Sequence, residues 1–262
     1  MSLQRPYVDV TDGQSVVRSL IRAVGVVAGG FLVLILLQTI ALGLVGIESA
    51  EQLRQQPILY AVVSGLPGLS FLLAGIAYMR IRADWTLFSV RTPTAREGGL
   101  MVAGFVVLAV VNQLMSALLA VVSSLLSELF GITVSAGQNT IVELIRANPE
   151  TVLFLIPVTA LLVAPGEELL FRGVVQGLLR RSLGVVPGIV GASLIFGGIH
   201  IVSISSGDAW TYIVVATALG IVLGTAYEYT ENLAVPIVIH ALWNSSLFVL
   251  IYYQVTGGSV SI

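Results

Sequence analysis

The sequence predicts an all-α protein, a polytopic transmembrane helical bundle of about seven to eight spans. Three observations point there. First, of 262 residues 56% are hydrophobic and 10% charged, and the mean hydropathy is +0.99. A soluble domain carries about a quarter charged residues, so this chain cannot clothe a water-facing surface. Second, crossing the hydrocarbon core takes about 20 apolar residues, which gives seven candidate spans, at roughly 24–46, 58–79, 99–127, 150–165 and running on past it, 187–205, 210–227 and 233–253. Third, the arginines alternate between connecting segments. They gather before the first span (Arg5, Arg18, Arg22), after the second (Arg80, Arg82, Arg91, Arg96) and after the fourth (Arg180, Arg181). Because cytoplasmic loops collect basic residues, this alternation predicts a cytoplasmic N-terminus.

Taken in order, residues 1–23 read as a polar cytoplasmic tail, and 24–262 as one transmembrane domain. The tail is too long and polar before its first apolar run for a secretory signal, so the first span is expected to remain as an anchor. The third span is long enough to tilt or overhang. Asn112 and Gln113 within it read as interhelical hydrogen-bonding residues. NTIVELIRANP (139–149) alternates at helical spacing and predicts a short interfacial helix on the outer side. The fourth span is short unless its helix runs on through PGEELLFRG to about Leu183, which would place two glutamates inside a membrane helix. Small-residue pairs at Gly25/Gly29 and Gly220/Gly224 would permit close helix approach. One segment departs from the pattern: YEYTENL, after the sixth span, is acidic where a basic loop is expected.

Composition also excludes function classes. With no cysteine in the chain, thiol catalysis, Cys-based zinc sites and disulfides are out. No basic tract suggests nucleic acid, and the formal charge is −2.

The informative residues are polar groups placed in hydrocarbon. An ionisable side chain at a helix centre costs about 2.5–3.5 kcal/mol on insertion scales and marks a functional cavity by default. The two histidines, His200 and His240, both fall within spans. In PGEELLFRG, Glu168 and Arg172 are four apart and share a helix face, where they can pair, while Glu167 points about 100° away. Glu168 then reads as the counter-ion of Arg172 and Glu167 as free to face a cavity. The bland alternative is a single structural charge cluster of all three. His240 and Asn244 repeat the four-residue spacing on the seventh span, as do Phe196 and His200 on the fifth. A carboxylate that takes a proton from water, an imidazole that helps hold that water, and an imidazole and amide that donate to an oxyanion form an inventory for amide hydrolysis without a covalent nucleophile.

These residues, in this order, resemble the CAAX-protease and bacteriocin-processing (CPBP) family of intramembrane endopeptidases. Its three motifs, EExxxR, FxxxH and HxxxN, appear here as Glu167-Glu168-Arg172, Phe196-His200 and His240-Asn244. The match covers about eighty residues, 165–244, with no departure at those positions. The resemblance implies a helical bundle with a catalytic core in 150–253 and a cavity inside the membrane. It also implies that Glu167 and His200 activate water, that His240 and Asn244 stabilise the oxyanion, and that Glu168, Arg172 and Phe196 support the site. The implied substrate is a membrane-associated or lipidated, CAAX-like polypeptide reached from the lipid bilayer, in a prokaryotic plasma membrane. The expected cofactor is none. The alternative is zinc held by Glu167, His200 and His240, a set short of the compact HExxH arrangement. Competing readings are a non-proteolytic immunity or regulatory module on the same fold, and a proton or solute pathway, for which a second copy of the charged motif is missing.

Overall fold

The computed structural model describes residues 13–257, and the first twelve residues of the expected tail lie outside them. Ten helices and two short strands can be named: α1 (Gly13–Leu44), α2 (Ala50–Arg54), α3 (Pro57–Val63), α4 (Leu66–Arg82), α5 (Ala95–Phe130), β1 (Gln138–Asn139), α6 (Thr140–Ala147), α7 (Pro149–Leu183), α8 (Val185–Ile199), β2 (Ile204–Ser206), α9 (Ala209–Thr230) and α10 (Ala234–Thr256). Among the described residues seven spans, with α3 and α4 together making the second, are long and apolar enough to cross a membrane. The protein is an integral membrane helical bundle. Residues 13–23 of the expected tail form the opening turns of α1.

Local chemistry sets the helix ends. α5 begins at a capping box, in which Thr94 accepts from the Glu97 amide and the Glu97 carboxylate accepts from the Thr94 amide. It stops at Gly131, whose φ of +67° suits a residue without a side chain. Between these points run 36 residues, about 54 Å at 1.5 Å per residue, well beyond a hydrocarbon core of about 30 Å. α5 is peripheral, with 6% of its apolar window buried. That position explains a difference from the sequence reading. Asn112 is half-buried and Gln113 exposed, and neither forms an interhelical hydrogen bond to a described residue.

α7 is the centre of the bundle. Its helix continues through PGEELLFRG to Leu183, but not as a regular α-helix: it widens into π-helical turns over Thr159–Val163 and Leu169–Val175. Thus the Ala164 amide bonds back to the Thr159 carbonyl, and the Gln176 amide to that of Phe171. Pro165 lacks the amide that an α-helix would direct at residue 161, so the first widening falls where one bond is already missing. Wide turns of this kind occur often at functional sites.

Packing around α7 is close. A Cβ added to Gly166 would overlap the Gly68 carbonyl, and one added to Gly68 would overlap the backbone at Leu162 and Val163. Hence α4 and α7 meet backbone to backbone. A run of edge-to-face aromatic contacts then leads inward, from Phe31 to Phe71 (5.6 Å), Phe71 to Phe171 (5.7 Å) and Phe171 to Phe196 (5.2 Å). Of the two glycine pairs, Gly220 and Gly224 let α9 approach Phe196, Ser193 and Gln176, whereas Gly25 and Gly29 face no neighbour.

The two ends of the bundle are tied differently. At one end Arg181 pairs with Asp84, Arg180 with Glu228, and Arg91 with Glu97, while Arg96 donates to the Tyr229 hydroxyl. The acidic segment YEYTENL therefore lies among the arginines, with Glu228, in the last turn of α9, 2.6 Å from Arg180, which accounts for its departure from the basic pattern. At the other end β1 pairs antiparallel with β2, and Asp208 accepts from the amide and hydroxyl of Ser135. The expected interfacial helix is α6, with Leu144 and Ile145 buried.

Candidate active site

Glu167, Glu168, Arg172, Phe196, His200 and His240 come together from α7, from α8 with the turn that follows it, and from α10. Glu168 is fully buried and shared between two partners. Its Oε2 lies 3.1 Å from Nε of the fully buried Arg172, close in distance but poorly aligned for a hydrogen bond. Its Oε1 accepts from Nδ1 of His240 at 2.8 Å. The expected Glu168–Arg172 pair is present, and the link to His240 is an addition that helical spacing alone does not reveal. The Arg172 guanidinium also lies over the Phe196 ring, 4.5 Å from its centre, a cation–π contact strengthened by the absence of water.

Glu167 turns away from this pair. Its Oε2 is 3.9 Å from His240 Nε2. Being 8% exposed, it is not sealed in as Glu168 is. Phe196 sets the spacing of the two imidazoles, its ring centre 4.7 Å from that of His200 and 6.1 Å from that of His240. This gives the FxxxH motif a physical content: one aromatic ring supports Arg172 and both histidines.

Each histidine has one ring nitrogen committed. His200 Nδ1 is 2.7 Å from the Phe196 carbonyl, and since a carbonyl only accepts, Nδ1 carries the hydrogen. In neutral His200 the other nitrogen, Nε2, is therefore a lone-pair acceptor. His240 Nδ1 likewise donates to Glu168. Asn244, one turn beyond His240 on α10, is half-buried and forms no hydrogen bond to a described residue.

The zinc alternative requires Glu167, His200 and His240 around one point. Among the described residues no three His, Asp or Glu side chains are grouped closely enough to hold a metal ion, so the arrangement does not fit that set.

Three further residues adjoin the motifs. Gln176, one turn beyond Arg172, is buried and donates from Nε2 to the Gly224 carbonyl at 3.1 Å. Its spacing from Arg172 was a usable signal. Tyr212 lies with its ring 5.9 Å from that of His200 and is reached by Asn139, which donates to its hydroxyl oxygen at 3.0 Å. A tyrosine in the first turn of a membrane helix reads as an interfacial anchor, so nothing in the sequence marked it.

Residues 149–246 match the family model of the type II CAAX prenyl endopeptidases, Rce1-like. The similarity lies in this stretch, less than half of the chain. The matched stretch contains all three motifs, on α7, on α8 with the turn that follows it, and on α10. YpbD of Bacillus subtilis (strain 168), described as an uncharacterized protein, is 40% identical over 80 residues, which make up 30% of this chain and 36% of YpbD. The matched part thus spans about a third of that relative. No solved structure matches the chain. The seven spans place the motif residues of the matched stretch on membrane-crossing helices.

Proposed function

We propose that the protein is an intramembrane endopeptidase that hydrolyses a peptide bond of a membrane-associated or lipidated, CAAX-like polypeptide by a metal-free, glutamate-based mechanism. The observation that carries this reading is the division of labour between adjacent carboxylates. Glu168 is consumed by Arg172 and His240, while Glu167 stands 3.9 Å from the other ring nitrogen of His240 and forms no hydrogen bond to a described residue.

In the reaction, water donates one hydrogen to Glu167 and the other to Nε2 of His200. Glu167 takes a proton as the water oxygen bonds to the scissile carbonyl carbon. The carbonyl oxygen becomes an oxyanion, which accepts hydrogen bonds from the Asn244 amide and from His240. Collapse then breaks the C–N bond, and Glu167 returns the proton to the leaving amine. With Nδ1 engaged by Glu168, donation from His240 Nε2 requires the imidazolium. Charge balance favours that form: Glu167 and Glu168 together exceed Arg172 by one negative charge, which a cationic His240 neutralises. Such preorganised donors in a water-poor site are the largest contributors to this class of catalysis.

The arginine-rich end, assembled from the segments after α4, α7 and α9, is assigned to the cytoplasm, with the chain in a prokaryotic plasma membrane. The test is a proteomic comparison of cells carrying wild type and Glu167→Gln. A membrane-associated precursor should accumulate with Glu167→Gln, and its processing by purified wild type should fall by about 10²–10⁴-fold in the variant. Unchanged processing would remove the proposal. Retained processing in metal-free buffer after exhaustive chelation is expected, and complete loss restored by zinc would replace this mechanism with a metal-dependent one.

A further inference from the structure

The proteolytic mechanism assigns two groups to the attacking water, the Glu167 carboxylate and the His200 Nε2 lone pair, and both accept hydrogen bonds. A water held by two acceptors has both hydrogens fixed and both lone pairs free. It lacks a donor that would leave one lone pair directed at the carbonyl carbon.

The first turn of α9 supplies a candidate. The Tyr212 ring is 5.9 Å from that of His200 and tilted 37° to it. Its hydrogen bonding is decided one helix away. Asn139 is the N-cap of α6, and its Oδ1 accepts from the Ile141 amide at 2.8 Å. That bond fixes the orientation of the side-chain amide, because a backbone N–H needs an oxygen opposite it. Nδ2 must then point the other way, where it donates to the Tyr212 hydroxyl oxygen at 3.0 Å and to Ser203 Oγ at 3.3 Å. Tyr212 therefore receives a hydrogen bond from Asn139 and keeps its own hydroxyl hydrogen, for which no described residue provides an acceptor. Ser203 in turn donates to the His200 carbonyl at 2.8 Å, so one amide braces both walls of this side of the site.

We propose that Tyr212 is a further catalytic residue, whose hydroxyl donates to the oxygen of the attacking water beside Glu167 and His200, and that Asn139 is the positioning residue that keeps this hydrogen directed into the site. As Glu167 removes a proton, the water oxygen gains negative charge and the Tyr212 hydrogen bond strengthens. It therefore favours the transition state over the bound ground state. The proton still passes to Glu167 and onward to the leaving amine, and Tyr212 keeps its own.

This inference rests on the proteolytic reading, and the experiment separates the two. The probe is a farnesylated, internally quenched CAAX-type peptide in proteoliposomes, cleaved by wild type, Glu167→Gln, Tyr212→Phe, Asn139→Asp and the Tyr212→Phe/Asn139→Asp double variant. Tyr212→Phe should lower kcat about 100-fold, as for loss of one preorganised donor, with KM unchanged. Asn139→Asp keeps an oxygen for the Ile141 amide but turns the Tyr212 hydroxyl toward itself. It should match Tyr212→Phe in kcat while its melting temperature stays near wild type, and the double variant should be no slower than either single one. A wild-type kcat in Tyr212→Phe, or multiplicative losses in the double variant, would overturn the role of Tyr212 while loss of activity in Glu167→Gln left the protease reading standing. Full activity in Glu167→Gln, or no cleavage by wild type, would overturn both.

Discussion

His240 donates from Nδ1 to Oε1 of Glu168 across 2.8 Å, joining the last membrane helix to the motif helix through a carboxylate that also serves Arg172. Glu168 is thus a buried anion with two cationic or donating partners, and its loss should act on stability and on chemistry by separate routes.

Arg172→Met should destabilise the protein by about 3–5 kcal/mol, the usual cost of leaving a buried charge unpaired. Glu168→Gln/Arg172→Met removes both charges and should recover most of that loss. Activity should not follow stability. His240 loses its anionic support in the double variant, so kcat should remain at least about 100-fold down, as for other histidines deprived of an orienting carboxylate. Thermal unfolding in detergent set beside single-turnover cleavage would show the two effects diverging.

Gly166→Ala should be more damaging than its size implies. The added Cβ has the Gly68 carbonyl in its place, and backbone cannot rotate aside as a side chain can. A loss of about 1–3 kcal/mol or more is expected from overpacking, with failure to accumulate in membranes as the extreme outcome. Gly25→Ala is the control: it meets nothing within 4 Å and should melt within about 0.5 kcal/mol of wild type.

Asp84 predicts a modest dependence on acid. Burial works to raise its carboxyl, but hydrogen bonds from Arg181 and Thr86 and the charge of Arg181 outweigh it and hold the group below the usual carboxylate range. The contribution is therefore complete above that range and lost as pH falls through the depressed value. The pair is partly exposed, so it is worth less than about 1 kcal/mol. Asp84→Asn should melt slightly below wild type at neutral pH, with the gap closing as pH drops below the carboxylate range.

Topology can be read by single-cysteine labelling, since the natural chain has no cysteine. With Arg180–Glu228 and Arg181–Asp84 at the cytoplasmic end, an impermeant maleimide should label Gln55→Cys and Ser206→Cys on intact cells. Thr92→Cys should react only after permeabilisation. The reverse pattern would invert the assigned orientation.

Much of this molecule was legible in its sequence because membrane spans and helical spacing are local properties. Hydrocarbon length marked the seven spans, and the four-residue spacing of Glu168 and Arg172 was enough to pair them. What stayed hidden depended on contacts between distant segments. The shared use of Glu168 by His240 joins residues 72 apart, and the orientation of Tyr212 depends on an amide 73 residues earlier. Glu228, in the last turn of α9, contradicted the charge pattern because its arginine partner sits on another helix. Asn112 and Gln113 were misread for the opposite reason: their chemistry called for partners, but α5 lies at the edge of the bundle.

The aromatic run from Phe31 through Phe71 and Phe171 to Phe196 begins on α1 and α4, outside the Rce1-like residues 149–246. The Gly68–Gly166 contact crosses the same boundary. The border of sequence similarity is therefore not a border of the folding unit. Excised alone, the matched segment would expose the flank of α7 that carries Phe171 and would lose the wall behind its charges, so the unmatched N-terminal half is the foundation on which the chemistry stands.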